Sequence, residues 1–346
     1  MRSAAIVCSA LVGGMSCDFA PLPRLNLAPG DAPAGAPACP QTCGPFGTTN
    51  CCESTVVAGN ATGATRAGEV FYRDHDNAAD GMYPSTAYRA TVSDFRLDTY
   101  LVTVGRFRAF VNAGMGTKGT APAPGAGAHA RIPGSGWDTT WNTYLADDKR
   151  ALVKAVKCQP EPPYQTWTDA AGPDDNLPMN CITWYEAMAF CIWDGGYLPS
   201  EAEWNYAASG GSEHRPYPWS ASDSSTTIDC SYANYFIDMP SGTFCVNGMT
   251  GAANRVGSES PKGDGRWGHA DLAGNLFGWN LDGYPDKDTP YPSPCGDCAN
   301  LTSADNRVYR GGHFFAAKPF LRVASRFLNR PTFRNGGVGV RCARTP

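Results

Sequence analysis

Fourteen cysteines among 346 residues narrow the choice of folds for this chain more than any other property of its sequence. Disulfides persist in oxidising compartments and are rare in the cytosol, so this cysteine usage predicts an exported protein held together by several bridges. Spacing alone leaves the connectivity open. The pairs that we consider reasonable are Cys158 with Cys181 and Cys230 with Cys245. Four cysteines near the N-terminus predict a small clasp with two bridges: Cys39, Cys43, Cys51 and Cys52.

The N-terminus has the pattern of a secretion signal. Arg2 precedes a mostly apolar stretch that is too short to span a membrane, and we predict a signal peptide over residues 1–16. Small Ser16 suits cleavage before a lipidated cysteine, so Cys17 is the predicted lipidation site and the protein is predicted to be lipid-anchored in the cell envelope; ordinary secretion is the alternative. Of the fourteen cysteines, Cys8 would leave with the leader and Cys17 would carry lipid, so an even twelve would remain for pairing.

Composition divides the rest of the chain into two parts. Residues 17–55 are rich in proline, alanine and glycine and contain the cysteine cluster, so they are predicted to be a tether. Residues 56–346 are predicted to be one globular domain, and the 39 glycines and 28 prolines of the chain favour an α+β fold with much irregular coil. The net charge of the chain is -4, and its sequence contains no block of basic residues. The electrostatic pattern that a nucleic-acid partner requires is therefore absent from the sequence. Contact with a membrane is expected only through the lipid anchor.

Two pairs of polar residues with the spacing of a capping box predict the best-defined helices. The first helix is predicted from Trp184 to about Asp194, and the second from Glu201 to Ala208. In each pair, the hydroxyl of the cap residue accepts a hydrogen bond from a backbone N–H of the first turn. The carboxylate three residues later accepts one from the backbone N–H of the cap residue. The capping pairs are Thr183 with Glu186 and Ser200 with Glu203. The alternation of Val92 to Leu97 predicts a strand.

Five segments follow one another in an order that is specific to one protein family. They are Asn180 to Ala187, Leu198 to Trp204, Asp271 to Asn275, Arg310 to Gly312, and Gly339 to Ala343. This ordered series resembles the formylglycine-generating enzyme family, also called sulfatase-modifying factors. The resemblance covers Val56 to Arg344. It implies a fold related to C-type lectins, and it implies a disulfide between Cys191 and Cys342 that ties the first predicted helix to the C-terminus.

The resemblance also implies a chemistry that this chain lacks the residues to perform. Formylglycine-generating enzymes oxidise a cysteine of a sulfatase with copper and oxygen, using two cysteines just after the Arg-Gly-Gly motif. Soft thiolates are the ligands that Cu(I) requires. Here the corresponding segment, His313 to Leu321, contains no sulfur, and no cysteine occurs between Cys298 and Cys342. We therefore expect neither copper binding nor formylglycine-generating oxidase activity.

Calcium is the one cofactor that the sequence leaves open. Asn234 with the Tyr235 carbonyl matches the start of one calcium site of the family, and Asp271 with the carbonyls of Gly274 and Leu276 matches a second. Hard oxygen ligands of this kind suit Ca²⁺. The second site departs from the family pattern, because glycine replaces the acidic residue expected two positions after Leu276. The alternative is that these residues form turns and bind no metal.

Four residues are candidates for a pocket at the former active site, and each has a structural alternative. They are His313, Arg310, Arg326 and Trp279. His313 needs a partner to act in acid–base chemistry and could equally be a packing residue. The arginines could be paired with acids, and the tryptophan could belong to the core. Cys295 and Cys298 are expected to be in structural disulfides in a loop, either with each other or with a neighbouring cysteine, since a redox pair favours a helix N-terminus.

Two functions from different classes follow from these observations. The first is a non-catalytic, extracytoplasmic relative that uses the family groove to bind a peptide, a glycan or an envelope protein. The second is an enzyme with oxidoreductase or other chemistry at the same pocket, using His313, Arg310 or the pair Cys295 and Cys298. The absence of the thiol pair favours the first function, because a fold by itself does not confer activity.

Overall fold

The computed structural model describes residues 39–158, 164–220, 225–238, 242–246, 248, 250–284, 291–302 and 305–346. The predicted signal peptide, the predicted lipidation site Cys17 and the first part of the predicted tether lie outside the described residues. Of the helices within the described residues, none combines the length and the apolar character that a membrane span requires.

Short strands, four helices and long irregular segments alternate along the described residues, which confirms the predicted α+β class with much coil. The helices are α1 (Val104–Asn112), α2 (Lys149–Ala155), α3 (Trp184–Trp193) and α4 (Glu201–Ala208). The strands are β1 (Ser54–Val57), β2 (Phe71–Tyr72), β3 (Arg89–Thr91), β4 (Phe95–Asp98), β5 (Phe236–Asp238), β6 (Thr243–Phe244), β7 (Phe277–Gly283), β8 (Cys295–Gly296), β9 (Arg307–Arg310), β10 (Phe327–Asn329), β11 (Val338–Gly339) and β12 (Ala343–Arg344). Short 3-10 helices occupy Lys118–Thr120, Thr139–Tyr144, Pro173–Asn176, Gly211–Glu213 and Lys318–Leu321.

The strands form small sheets that join distant parts of the chain. One sheet has the order β1-β4-β12, so it places a strand from each end of the domain on either side of β4. A second has the order β10-β9-β7-β11, with β11 parallel to β7 and the other pairs antiparallel. A third has the order β2-β3-β8, and β5 pairs with β6. Apart from the local pair of β5 and β6, most of these pairings link residues far apart in sequence, so local sequence patterns do not specify them.

Both predicted capping boxes are present in the structure. The Thr183 hydroxyl accepts from the Glu186 N–H at 3.2 Å, and the Glu186 carboxylate accepts from the Thr183 N–H at 3.0 Å. The same exchange caps α4 through Ser200 and Glu203. The helix α3 is buried along most of its length, and the Trp184 indole donates to a carbonyl of β7 at 2.8 Å. Reciprocal capping therefore fixes where both helices begin, and core packing fixes how α3 sits on the sheet.

The predicted strand at Val92 to Leu97 is interrupted in the structure. The Asp94 carboxylate accepts from the Gly59 N–H at 2.7 Å and from the Thr65 N–H at 2.9 Å. These bonds hold a turn between β3 and β4. The prediction was therefore wrong for residues 92–94, because a side chain that alternation assigns to a strand face instead binds the backbone of a separate loop.

The domain begins earlier than the sequence predicted. The cysteine cluster that was assigned to the tether forms two bridges, Cys39–Cys52 and Cys43–Cys51, and the second of these is buried against Tyr100. The Gly44 N–H donates to the Val256 carbonyl at 3.2 Å. Residues 39–55 thus belong to the packed domain rather than to the tether.

The remaining described cysteines are also paired. The bridges are Cys158–Cys181, Cys191–Cys342, Cys230–Cys245 and Cys295–Cys298. Cys191 and Cys342 are fully buried and are separated by 151 residues, so their bridge ties α3 to the segment before β12. In the chain-entropy account, a disulfide that closes a loop of this length stabilises the fold by about 5 kcal/mol.

Candidate functional site

An open cleft lies beside the segment that follows the Arg-Gly-Gly motif. Its volume is about 320 Å³, within the range of small-ligand sites. It is lined by Tyr164, His313, Phe314, Phe315, Asn335, Gly336 and Gly337. The cleft therefore lies at the part of the chain for which the family resemblance implies the catalytic cysteines.

Glycines allow the chain to form this cleft. Gly311 and Gly312 leave β9 with φ of +105° and +74°, which L side chains rarely adopt. A Cβ on Gly312 would lie 2.7 Å from Leu321, and a Cβ on Gly337 would lie 2.5 Å from Nδ1 of His313. The His313 ring thus occupies space that only a glycine at position 337 leaves open.

His313 is half-buried and is neutral at pH 7. Burial lowers its pKa to about 4. Its Nδ1 accepts from the Phe315 N–H at 3.4 Å, and its ring centroid lies 4.9 Å from that of Phe277. Among the described residues, no carboxylate makes an ion pair with it. Within the described residues His313 thus lacks the acidic partner that commonly orients an acid–base histidine, and its ring forms one wall of the cleft.

Exposed aromatic side chains continue from the cleft onto the surface. Phe315 is 38% exposed, and its ring contacts those of Tyr164 and Phe244 at centroid distances of 5.0 and 4.6 Å. Phe320 is 50% exposed and contacts Phe327 at 5.9 Å. We call the exposed pair Phe315 and Phe320 the aromatic rim. Phe327 in turn contacts Phe277, which packs against the His313 ring, so aromatic contacts connect both exposed phenyl groups to the cleft. Contiguous exposed apolar groups are typical of surfaces that bind other molecules.

The cleft does not fit a copper ion. Residues 313–321 contribute aromatic, aliphatic, proline and lysine side chains, and Ala316 and Leu321 are buried. All twelve cysteines within the described ranges are in disulfides, so none of them offers a thiolate to the cleft. Thiolate and thioether sulfurs are the ligands that select Cu(I), and the described side chains at this position provide neither; the His313 imidazole is the one aromatic nitrogen donor among them.

Of the four predicted pocket residues, only His313 lines the cleft; the other three are buried elsewhere. Trp279 is fully buried and its indole donates to the Ile182 carbonyl at 3.2 Å. Arg310 is fully buried and pairs with Glu201 at 2.7 Å and with Asp74.

Arg326 binds the same carboxylate as Arg310, with two contacts to Glu201 of 2.6 Å, and its guanidinium lies 4.3 Å from the ring centroids of Tyr284 and Tyr291. Assigning Arg310 and Arg326 to the pocket was wrong, because acids distant in sequence already bind both guanidinium groups. The same holds for Trp279, which belongs to the core.

The two predicted calcium sites lie on either side of one asparagine. The Asn275 N–H donates to the Asn234 carbonyl at 2.9 Å, and its side-chain amide donates to Asp271 at 3.4 Å. The Tyr235 carbonyl accepts from the Cys245 N–H at 3.1 Å, so one of its lone pairs is occupied. The side-chain oxygen of Asn234 is buried and has no hydrogen-bond partner among the described residues.

Two residues that the sequence analysis missed complete an oxygen-rich group beside Asp271. Burial raises the pKa of Asp271 to about 6, and burial together with the Asp271 charge raises the pKa of Glu259 to about 7. Asn254 donates to Glu259 at 2.6 Å. Within the described residues, one oxygen of Glu259 and the side-chain oxygen of Asn254 are buried without a hydrogen-bond donor.

Adjacent carboxylates with unsatisfied oxygens are the kind of donors that suit a hard cation such as Ca²⁺. No local pattern marks Glu259 or Asn254 as ligands, since both belong to an irregular loop.

Comparisons with known proteins agree with the fold and with the motifs. A family model for the sulfatase-modifying factor enzyme 1-like domain matches residues 50–346. Inactive Cα-formylglycine-generating enzyme 2 of Mus musculus is 27% identical over 284 residues, covering 78% of this chain and 80% of that protein. The formylglycine-generating enzyme of Streptomyces coelicolor is 31% identical over 280 residues, covering 77% of this chain and 82% of that enzyme.

A solved structure supports the same architecture. The structure of PvdO from Pseudomonas aeruginosa matches with a TM-score of 0.53 at 18% identity, covering 85% of this chain and 94% of that one. This likeness concerns the fold alone. The family model, in contrast, covers most of the sequence, and the ordered motifs lie within it. The chain therefore belongs to the family of sulfatase-modifying factor enzyme 1-like domains.

Proposed function

We propose that this protein is a non-catalytic member of its family and that the cleft beside His313 binds an apolar segment of a partner polypeptide. One observation carries the proposal. Aromatic and aliphatic side chains occupy the position of the copper-binding thiols, and they leave an open cleft with an exposed aromatic rim. The chemistry has been replaced by a surface that is suited to contact.

The charge of the cleft favours a polypeptide over a charged glycan. Its lining residues carry no acidic or basic side chain other than His313, and the lowered pKa keeps that ring neutral at pH 7. The two exposed phenyl rings of the rim gain most from burying an apolar side chain, at about 25 cal/mol per Å². Aromatic residues are also those that most often dominate protein–protein contacts.

The names of the relatives are consistent with either an active or an inactive protein. One relative at 27% identity is called inactive, and another at 31% is called a formylglycine-generating enzyme. Identity at this level does not separate the two groups. The lack of a thiol pair among the described side chains of the site supports the inactive assignment, because an oxidase of this type depends on that pair.

Selection from a random peptide library displayed on phage tests the proposed binding. We expect the parent protein to enrich peptides with an aromatic or aliphatic anchor, and the double variant Phe315→Ala/Phe320→Ala to lose at least about tenfold in affinity for them. Phe46→Ala is the matched control, because Phe46 is 86% exposed and is not among the residues that line the cleft. Equal binding by the double variant and the parent would contradict the proposed site.

Catalysis is tested separately. The parent protein is incubated with a cysteine-containing sulfatase peptide, copper and oxygen, and the peptide is analysed by mass spectrometry. We expect no conversion of cysteine to formylglycine. Conversion that is lost on removal of copper would refute the non-catalytic assignment and would favour the alternative, an enzyme that works at this pocket.

We further propose that the protein is exported and held at the envelope by lipid on Cys17. Six disulfides among the described residues suit an oxidising compartment, and the N-terminal pattern supports a lipoprotein leader. Cys17→Ser should move the protein from the membrane fraction to the soluble fraction and abolish metabolic labelling with a fatty acid. Unchanged fractionation would leave ordinary secretion as the better explanation.

We propose in addition that Asp271 and Glu259 hold a Ca²⁺ ion, with the amide oxygen of Asn254 beside them. The unsatisfied buried oxygens of Glu259 and Asn254 support this. Calcium at a hundredfold excess over its Kd should stabilise the fold by about 2–3 kcal/mol. Thermal unfolding with calcium and with a chelator measures the difference, and Glu259→Gln should abolish it. Equal melting temperatures in the parent protein would contradict the site.

A further inference from the structure

The loop that contains Cys295 and Cys298 places a disulfide beside a buried arginine. Cys295 belongs to the short strand β8, which pairs with β3, and it is 6% exposed. Cys298 is only half-buried. The two residues form a disulfide across two intervening residues, with Asp297 at φ +44°. Cys298 is therefore the more exposed residue of the bridge.

Arg73 supplies a positive charge next to the sulfur of Cys298. Its Nη1 donates to Sγ of Cys298 at 3.6 Å, and its Nη2 donates to the Pro292 carbonyl at 2.6 Å. Its guanidinium lies 4.4 Å from the ring centroid of Tyr291. Arg73 is buried, and its Nε has no acceptor among the residues that the structure describes.

Arg73 also lacks a carboxylate partner. In the described part of the chain it makes no ion pair, although the charges of Glu201, Asp282 and Asp74 act on it from a distance. Two of those carboxylates, Glu201 and Asp74, are in direct ion pairs with Arg310. Burying a cation without a counter-ion is costly. A negative charge on Cys298 would supply the missing partner.

We propose that Cys295–Cys298 is a redox-active disulfide that exchanges with a dithiol, and that Arg73 stabilises Cys298 as the thiolate in the reduced form. A positive group beside a cysteine lowers the pKa of its thiol and makes that cysteine both the better nucleophile and the better leaving group. Here the guanidinium takes the role that a helix N-terminus plays in other Cys-x-x-Cys centres.

The exchange balances without any other reactant. A thiolate of the external dithiol attacks Sγ of Cys298, and Cys295 leaves with the electron pair and takes up a proton. The second thiolate of the dithiol then attacks its own sulfur in the mixed disulfide, which releases Cys298 as a thiolate against Arg73. The dithiol loses two electrons and becomes a disulfide. The bridge gains those two electrons and becomes one thiol and one thiolate.

Graded reduction of the full-length chain tests this proposal. The protein is equilibrated with increasing dithiothreitol under native conditions, free thiols are alkylated, and the labelled cysteines are mapped by mass spectrometry. We expect Cys295 and Cys298 to open first, at a reductant concentration about tenfold below that for Cys158–Cys181, which corresponds to one charge-assisted hydrogen bond. Opening of this bridge together with the others, or after them, would overturn the proposal.

A second experiment isolates the role of Arg73. In a Cys295→Ser background, the alkylation rate of Cys298 is measured against pH. We expect a thiol pKa below the usual value of about 8.5. Arg73→Met should return it to about that value, whereas Arg73→Lys should keep it low, and circular dichroism checks that both variants fold. If the Cys298 thiol has an ordinary pKa while Arg73 is still present, the guanidinium does not activate the sulfur.

Discussion

At the scale of single residues, His313 and position 337 compete for the same space. A methyl group on Gly337 would lie 2.5 Å from Nδ1 of His313, closer than atoms approach without displacement. We expect Gly337→Ala to push the imidazole into the cleft and to weaken binding of a selected peptide about tenfold, and overpacking should also cost about 1–3 kcal/mol of stability. Gly172→Ala is the control, because that glycine is extended and a Cβ there meets nothing within 4 Å. Unchanged affinity would show that the ring does not shape the site.

His214 is a buried histidine that the fold keeps neutral. Its Nε2 accepts from the Tyr72 N–H at 3.1 Å, which requires an unprotonated nitrogen. Burial, with the nearby charge of His75, lowers its pKa to about 4. An unfolded histidine titrates near pH 6.5, so this contribution to stability is complete above about pH 6.5 and is lost as the pH falls toward 4. We expect a loss of about 2–3 kcal/mol across that range.

Urea unfolding at several pH values between about 4.5 and 7 measures this loss. His214→Asn should flatten the pH dependence, since asparagine does not titrate and tolerates the φ of +48° at this position. His75 is the titratable side chain that faces the ring, with centroids 4.9 Å apart, so His75→Gln is measured in parallel. If the free energy of unfolding of the His214→Asn variant falls with decreasing pH as steeply as that of the parent protein, groups other than His214 cause the acid sensitivity.

The residues of the site differ in how far the sequence could identify them. His313 was identified because it directly follows the Arg-Gly-Gly motif in the chain. Tyr164 and Asn335 were missed, because only tertiary folding brings them to His313. Arg310 was misassigned for the same reason, since its acid partners lie more than a hundred residues away in sequence.

At the scale of elements, Glu201 joins α4 to the sheet that precedes the cleft. Its carboxylate binds Arg310 of β9 and Arg326, which precedes β10, at distances of 2.6 to 2.8 Å. Glu201→Gln keeps the size but removes the charge that both buried guanidinium groups share. We expect the free energy of unfolding to fall by about 3 kcal/mol or more, because removing one partner of a buried ion pair is strongly destabilising, even though Arg310 keeps its pair with Asp74.

Urea denaturation checks this prediction against a surface pair. Glu213 binds Arg215 at 2.6 Å and Arg266 at 3.1 Å, but its side chain is 39% exposed. Glu213→Gln should therefore cost less than about 1 kcal/mol, because water already solvates the charges. If the two variants lost equal stability, burial would not be what makes the Glu201 network important.

The helices were more predictable than the strands, for a physical reason. A capping box places donor and acceptor within four residues, so Thr183 and Ser200 mark the start of α3 and α4 in the sequence itself. The strand β4 is paired with β1 and β12, and its register with β12 joins Leu97 to Ala343. Nothing near Leu97 encodes that partner. The predicted α+β class was confirmed, but the topology required the structure.

At the scale of the whole molecule, the bridge between Cys191 and Cys342 closes the domain. It fixes the C-terminal segment on α3, next to the point where β12 joins β4 and β1. Its loop spans 151 residues, whereas that of Cys158–Cys181 spans 23. If disulfides act mainly on the entropy of the unfolded chain, the long bridge should contribute about 5 kcal/mol and the short one about 3.

Paired cysteine-to-alanine variants of the two bridges test this ranking by urea denaturation. Cys191→Ala/Cys342→Ala should lose about 2 kcal/mol more than Cys158→Ala/Cys181→Ala, and small cavities at two fully buried sites should increase the gap rather than reverse it. A greater loss from the short bridge would mean that local packing at Cys181 outweighs chain entropy. This domain has few long helices or strands, and many of its strand pairs join distant segments. It therefore depends on long-range disulfides to bring its cleft residues together.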